Sequence, residues 1–76
     1  MSALLEEVRS RRRLPPPALR KAIREAAGVS QRRVAEDLGV DRVTVARWES
    51  GSRNPQSRFV EPYLTLLEGL RSESGA

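Results

Sequence analysis

The strongest constraint in this chain is a punctuation pattern that occurs twice between residues 30 and 51. Ser30 precedes an apolar-patterned run that stops at Gly39, and Asp41 precedes a second run that stops at Gly51. A Ser or Asp in such a place can cap the free N–H groups of a first helical turn, and Gly supplies the left-handed backbone that ends a helix. Each run also carries a hydrophobic staple, Val29 with Val34 and Val40 with Val45, which fixes the angle at which chain enters helix. The spacing predicts two short helices, one ending at Leu38 and one near Ser50, joined through Gly39-Val40-Asp41. Helices below about 12 residues are marginal in water, so these two must be held by packing. A turn this tight needs a small residue on the inner side of the first helix, and Ala35 is there. Val34, Leu38, Val40, Val45 and Trp48 give the apolar inner positions.

The rest of the chain supplies further helices. Ser2 can cap a helix over residues 3–12, with Leu4, Leu5 and Val8 on one side, ending before Leu14-Pro15-Pro16-Pro17 because residues before proline leave the α region. Pro16 or Pro17 can open the next helix, where a missing N–H costs nothing. That helix runs to Ala27 with Leu19, Ile23 and Ala26 on its apolar face, and Gly28 stops it. After a loop over residues 52–56, a last helix is expected from Ser57 to Arg71, with Phe59, Tyr63, Leu66, Leu67 and Leu70 as its apolar face. Pro62 requires either a start near Glu61-Pro62 or a kinked first turn. The expectation is an all-α bundle of about five helices. Residues 1–14 form a basic helix or arm, 15–71 the domain, and 72–76 a frayed tail. Internal repeats and strand-like alternation are absent.

Composition narrows the chemistry. The 76 residues include no Cys and no His, which excludes disulfides, thiolate and imidazole metal sites, and imidazole acid–base catalysis. A domain of this size buries only about 60% of its unfolded surface, leaving little volume for a substrate pocket. The expectation is a binding protein rather than an enzyme, with no metal, cofactor or small-molecule ligand. Fourteen basic residues face 10 acidic ones, a net charge of +4, which favours an anionic partner. Residues 1–33 carry 9 basic and 3 acidic groups (+6), and residues 34–76 carry 5 and 7 (−2). No apolar run approaches the ~20 residues that span a bilayer, and the opening MSALLEEV lacks the order of a secretory signal. A soluble, cytoplasmic protein is expected.

Residues 14–70 resemble the Cro/repressor-type (XRE-like) helix–turn–helix family of bacterial and phage DNA-binding proteins. The resemblance lies in Val29-Ser30-Gln31, Val34-Ala35, Leu38-Gly39-Val40, Val45-Ala46-Arg47-Trp48-Glu49-Ser50-Gly51 and Arg53-Asn54-Pro55. It implies a repressor-like bundle and a sequence-specific transcription regulator, most simply a repressor, acting at the nucleoid of a bacterial or phage-infected cell. Helix 42–50 would enter the major groove of double-stranded DNA, with Arg42, Val43, Thr44 and Arg47 facing the bases. A guanidinium can bond guanine O6 and N7 together, and Val43 can touch a thymine methyl. Gln31, Arg32, Ser50, Ser52, Arg53 and Asn54 match positions that hold phosphates. One reading helix covers few base pairs, so a homodimer on half-sites about 34 Å apart is implied. Because family members often dimerise through the final helix, Tyr63, Leu64, Leu67 and Leu70 are candidates for the dimer surface, and Leu4, Leu5 and Val8 on the N-terminal helix are a second candidate.

A carboxylate in a reading helix repels phosphate, so Glu49 needs a partner. The resemblance implies a structural ion pair with Arg24. Trp48 belongs in the core by its spacing to Val45 rather than on a stacking platform. The run Arg11-Arg12-Arg13 reads as a solvated face, a phosphate-gripping arm or a minor-groove arm. The rival reading is a protein-interaction module of the same fold: an antirepressor, antitoxin or adaptor. A basic helix for RNA or a membrane surface would leave the Gln31–Asn54 constellation unexplained.

Overall fold

A computed structural model describes residues 2–74. Among the described residues there are five helices and no strand: α1 (Ala3–Arg13), α2 (Pro17–Ala26), α3 (Gln31–Leu38), α4 (Arg42–Ser50) and α5 (Ser57–Glu73). Each boundary has a local cause. The Ser2 hydroxyl accepts from the N–H groups of Leu4 and Leu5 at the start of α1, and Pro17 opens α2 at its first position. The Ser30 hydroxyl accepts from Arg33 N at 3.1 Å at the start of α3. Asp41 occupies the cap position of α4 with extended backbone, but its side chain makes no capping bond. There the entry into the helix rests on the Val40–Val45 staple, with Val45 fully buried and Val40 half-buried.

The α3–α4 turn depends on Gly39, whose φ is 72°. This left-handed residue lets Val40 N reach Ala35 O at 3.0 Å and Gly39 N reach Glu36 O at 3.4 Å, which satisfies two of the carbonyls that end α3. Ala35 is buried beneath the crossing, as the tight turn requires.

The core collects Ile23, Val34, Ala35, Val45, Trp48, Tyr63 and Leu67 from α2 to α5. Trp48 packs its ring against Tyr63 and Phe59, with centroids 4.8 and 5.9 Å apart in tilted arrangements. Burying a Val or Leu side chain stabilises a fold by roughly 1.5–3 kcal/mol, and it is this packing that holds α3 and α4 in shape. Val60, fully buried on α5, also belongs to the interior although the periodicity did not select it.

The structure revises several sequence expectations. The inner face of α2 is Arg20, Ile23 and Arg24, while Leu19 is 38% exposed and Ala26 is exposed. The stripe is rotated because the two guanidiniums find buried partners. Helix α5 starts at Ser57 and runs through Pro62, which lies on the solvent side and removes only one ladder bond. It also continues to Glu73, so residues 72 and 73 are helical rather than frayed; residues 75–76 lie outside the described residues. Tyr63, Leu64 and Leu67 are buried within the single chain, which withdraws them as a dimer surface and leaves Leu70 half-buried. Finally, residues 3–13 are no loose arm. Helix α1 packs along α5, with Arg13 paired to Glu68 at 2.6 Å and Ser57 Oγ donating to Glu7 at 3.0 Å.

Candidate nucleic-acid interface

Helix α4 is anchored by one face and free on the other. Val45, Trp48 and Glu49 are buried, whereas Arg42, Val43 and Arg47 are exposed and Thr44 is half-buried. At its C-terminal end the inner anchor adds a buried ion pair to the packing of Trp48. Arg24 Nε donates to Glu49 Oε2 at 2.6 Å and Arg24 Nη2 to Glu49 Oε1 at 3.0 Å, with side-chain exposures of only 10% and 3%. Two parallel bonds in a dry setting are stronger and more directional than a surface pair. The hydrogen bond to Glu49 raises the Arg24 pKa above its ordinary value, against the opposing effect of burial. Arg24 Nη1 also donates to Val29 O at 2.9 Å, tying α2 to the start of α3.

Glu49 extends this contact outward. Its Oε1 also accepts from Gln31 Nε2 at 3.0 Å, and Gln31 Oε1 accepts from Arg42 Nη1 at 3.0 Å. A chain of hydrogen bonds therefore runs from buried Arg24 through Glu49 and half-buried Gln31 to exposed Arg42. Gln31, expected as a phosphate contact, is in the structure the tether of one of the outward arginines.

Arg20 is a buried side chain supporting α4 that sequence reasoning missed. Its Nε donates to Pro15 O at 2.7 Å and its Nη1 to Trp48 O at 3.1 Å. Trp48 O is among the last carbonyls of α4, where a cation also complements the helix dipole. Burial lowers the Arg20 pKa, partly offset by Tyr63. The signal was its position four residues before Arg24, which places both on one face of α2. Two of the nine basic groups in residues 1–33 therefore work inside the protein.

The segment after α4 closes tightly. Gly51, with φ of 80°, leaves the helix beside Pro17, whose Cγ would lie 3.3 Å from an added Cβ. Ser50 Oγ donates to Arg47 O at 3.1 Å, Ser52 N donates to Ser50 Oγ at 3.3 Å, and Arg53 N donates to Arg47 O at 3.3 Å. The amides of Ser52 and Arg53 are thus engaged in ending the helix. The side chains of Ser52, Arg53 and Asn54 are exposed. Thr44, Arg47, Arg53 and Asn54 line a concavity of about 470 Å³ together with Gln56 and Arg58. Arg58, not singled out by the sequence, lies 4.9 Å over the Phe59 ring.

Other basic groups are differently disposed. Arg32 is highly exposed with its Nε 3.6 Å from Glu36, a contact of the kind worth under about 1 kcal/mol. Arg11 pairs with Glu7 at 3.2 Å and Arg13, itself exposed, with Glu68, which leaves Arg12 as the member of that run with no ion pair among the described residues.

A family model described as a helix-turn-helix domain matches residues 19–74, about three quarters of the chain. The chain belongs to the helix–turn–helix family. The match agrees with the resemblance to Cro/repressor-type members and covers α2 to α5, the part of the helix–turn–helix domain that holds both the turn and the exposed face of α4. Comparisons with curated proteins and with solved structures return no match. Among the described residues, no helix is long and apolar enough to cross a membrane, and no cluster of metal-ligating side chains occurs.

Proposed function

We propose that this helix–turn–helix protein is a sequence-specific, double-stranded DNA-binding transcription regulator, acting as a repressor in the bacterial cytoplasm. The observation that carries this reading is the division of α4: Val45, Trp48 and Glu49 hold the helix, and Arg42, Val43 and Arg47 are presented to solvent. In the complex, α4 lies in the major groove with Arg47 and Arg42 on guanines and Val43 against a thymine methyl. Thr44 lies at the margin of that contact. Gln31 and Arg32 at the start of α3, and Ser50, Ser52, Arg53 and Asn54 after α4, flank the groove as phosphate contacts. Arg58 joins the second set, because it shares the concavity with Arg47 and Arg53. Two copies bind as a homodimer on adjacent half-sites.

Selection from a random duplex library, followed by binding of the winners as salt is varied, tests the reading. An enriched motif is expected, with log affinity falling steeply against log salt. Arg47→Ala should relax one base position at a cost of about 1–3 kcal/mol for the preferred base. Arg53→Ala should weaken all sequences alike and lower the salt slope by about 1. Absence of an enriched motif would instead favour a protein-interaction module of the same fold.

A further inference from the structure

Helix α1 is turned the wrong way round for a helix that packs only within its own chain. Toward α5 it directs polar groups: buried Ser10, Glu7 bonded by Ser57, and Arg13 paired with Glu68. Toward solvent it directs Leu4, Leu5 and Val8, which are 66%, 50% and 37% exposed. Their spacing keeps them in one stripe, since residues four apart share a helix face. Arg12, one turn beyond Val8, continues that stripe and has no ion pair among the described residues. The domain thus carries, outside the segment matched by its family, an apolar ridge ending in a cation.

A complementary surface exists on the same chain. On the solvent side of α5, Leu66, Gly69 and Leu70 floor a shallow groove whose rim carries Asp37, Glu61 and Glu73. These three carboxylates are exposed and in no ion pair among the described residues. Gly69 is costly inside a helix, and an added Cβ there would meet nothing within 4 Å. Packing within the chain therefore gives no reason for its lack of a side chain, whereas a close approach from outside does. Pairing two α1 ridges with each other would put no carboxylate opposite Arg12, because Glu7 faces α5 and is bonded to Arg11, and Glu6, two residues from both Leu4 and Val8, lies off the ridge.

We propose that α1 of one copy seats its Leu4–Leu5–Val8 ridge in the α5 groove of a second copy, with Arg12 meeting the acidic rim. Twofold symmetry makes the contact twice and closes the assembly as a dimer. This interface stands independently of DNA binding.

Sedimentation equilibrium on the full chain without DNA tests it. The mass should rise with concentration from 8.5 kDa to twice that value, and the dimer should weaken as salt increases. The double variant Leu4→Gln/Leu5→Gln and the single variant Gly69→Arg should each raise the dissociation constant at least about tenfold. Helicity should be retained, since the altered positions face solvent or open space. Mixing the two variants should restore dimers beyond either alone, because the hetero-pair regains one intact ridge-and-groove contact. A wild-type chain that stays monomeric, assembles beyond a dimer, or dimerises without regard to Gly69→Arg would overturn the proposal. So would a mixture no more dimeric than its components.

Discussion

Removing Glu49 is the sharpest test of how α4 is held. Glu49→Ala leaves the Arg24 guanidinium buried without its carboxylate and strips Gln31 of its acceptor. Breaking a buried pair from one side costs roughly 3–5 kcal/mol. A chain of 76 residues has a total stability of about 4–11 kcal/mol at the usual increment per residue. The variant should therefore lose from about a quarter to all of that stability. With a urea slope near 1 kcal/mol/M for so small a domain, the midpoint should fall by about 3 M or more. The single tryptophan is the reporter, since Trp48 is 2% exposed in the fold and becomes hydrated on unfolding. The companion variant Arg24→Met/Glu49→Leu removes both charges and should recover most of the loss, because an apolar pair of similar volume commonly replaces a buried ion pair at little cost. A loss below about 1 kcal/mol for Glu49→Ala, or a double variant as unstable as both singles summed, would refute the account.

Three further outcomes are expected. The Tyr63 hydroxyl is buried without a hydrogen-bond partner among the described residues, so Tyr63→Phe should gain on the order of 1 kcal/mol in thermal or urea melts. Burial first, and Glu49 next, push its pKa up from 10.0 to about 12. The native state thus holds this proton more tightly than the unfolded chain. The associated stability is complete below pH 10 and fades as pH rises toward 12, by about 2–3 kcal/mol in all; Tyr63→Phe should flatten that decline. Gly39→Ala should cost about 1–2 kcal/mol from the left-handed backbone alone, because an added Cβ meets nothing within 4 Å. If Arg42 contacts a base as proposed, Gln31→Ala should change base preference at that position as well as overall affinity, since it releases the Arg42 side chain; a uniform loss across sequences would make the tether irrelevant.

Much of this molecule can be read from local chemistry. The Ser30 cap, the Gly39 and Gly51 stops and the Val staples act within a few residues of themselves, so the α3–α4 unit and its buried face are legible. The inner face of α2 is not. Hydropathy selects Leu19, Ile23 and Ala26, whereas the fold buries Arg20 and Arg24, whose partners are on α4 and in backbone more than 20 residues away or across the proline turn. Apolar patterning cannot register a cation that is satisfied by another helix. Helix α5 poses the opposite difficulty. It is covered by α2, α3 and α1 on different sides, so its periodicity marks apolar residues without saying which are core and which face outward. Tyr63, Leu64 and Leu67 prove to be core, and α1 is the element whose apolar residues face outward. In the candidate site, the Arg24–Glu49 pair is legible through family resemblance, but the continuation through Gln31 to Arg42 emerges only from three helices brought together.

The one-sided anchoring of α4 has a consequence for how such a protein changes over time. Nothing that holds the helix depends on Val43 or Arg47, and their side chains carry no part of the core. Surface substitutions of this kind usually shift stability by less than about 0.5 kcal/mol, so these positions can be altered one at a time without approaching the threshold at which the fold fails. Arg42 differs, because Gln31 links it to the buried pair. The helix therefore presents two freely exchangeable positions beside one whose replacement is felt in the interior. A library that randomises 43 and 47 while keeping Gln31, Arg42 and Glu49 should yield folded variants at high frequency, each free to prefer a different surface.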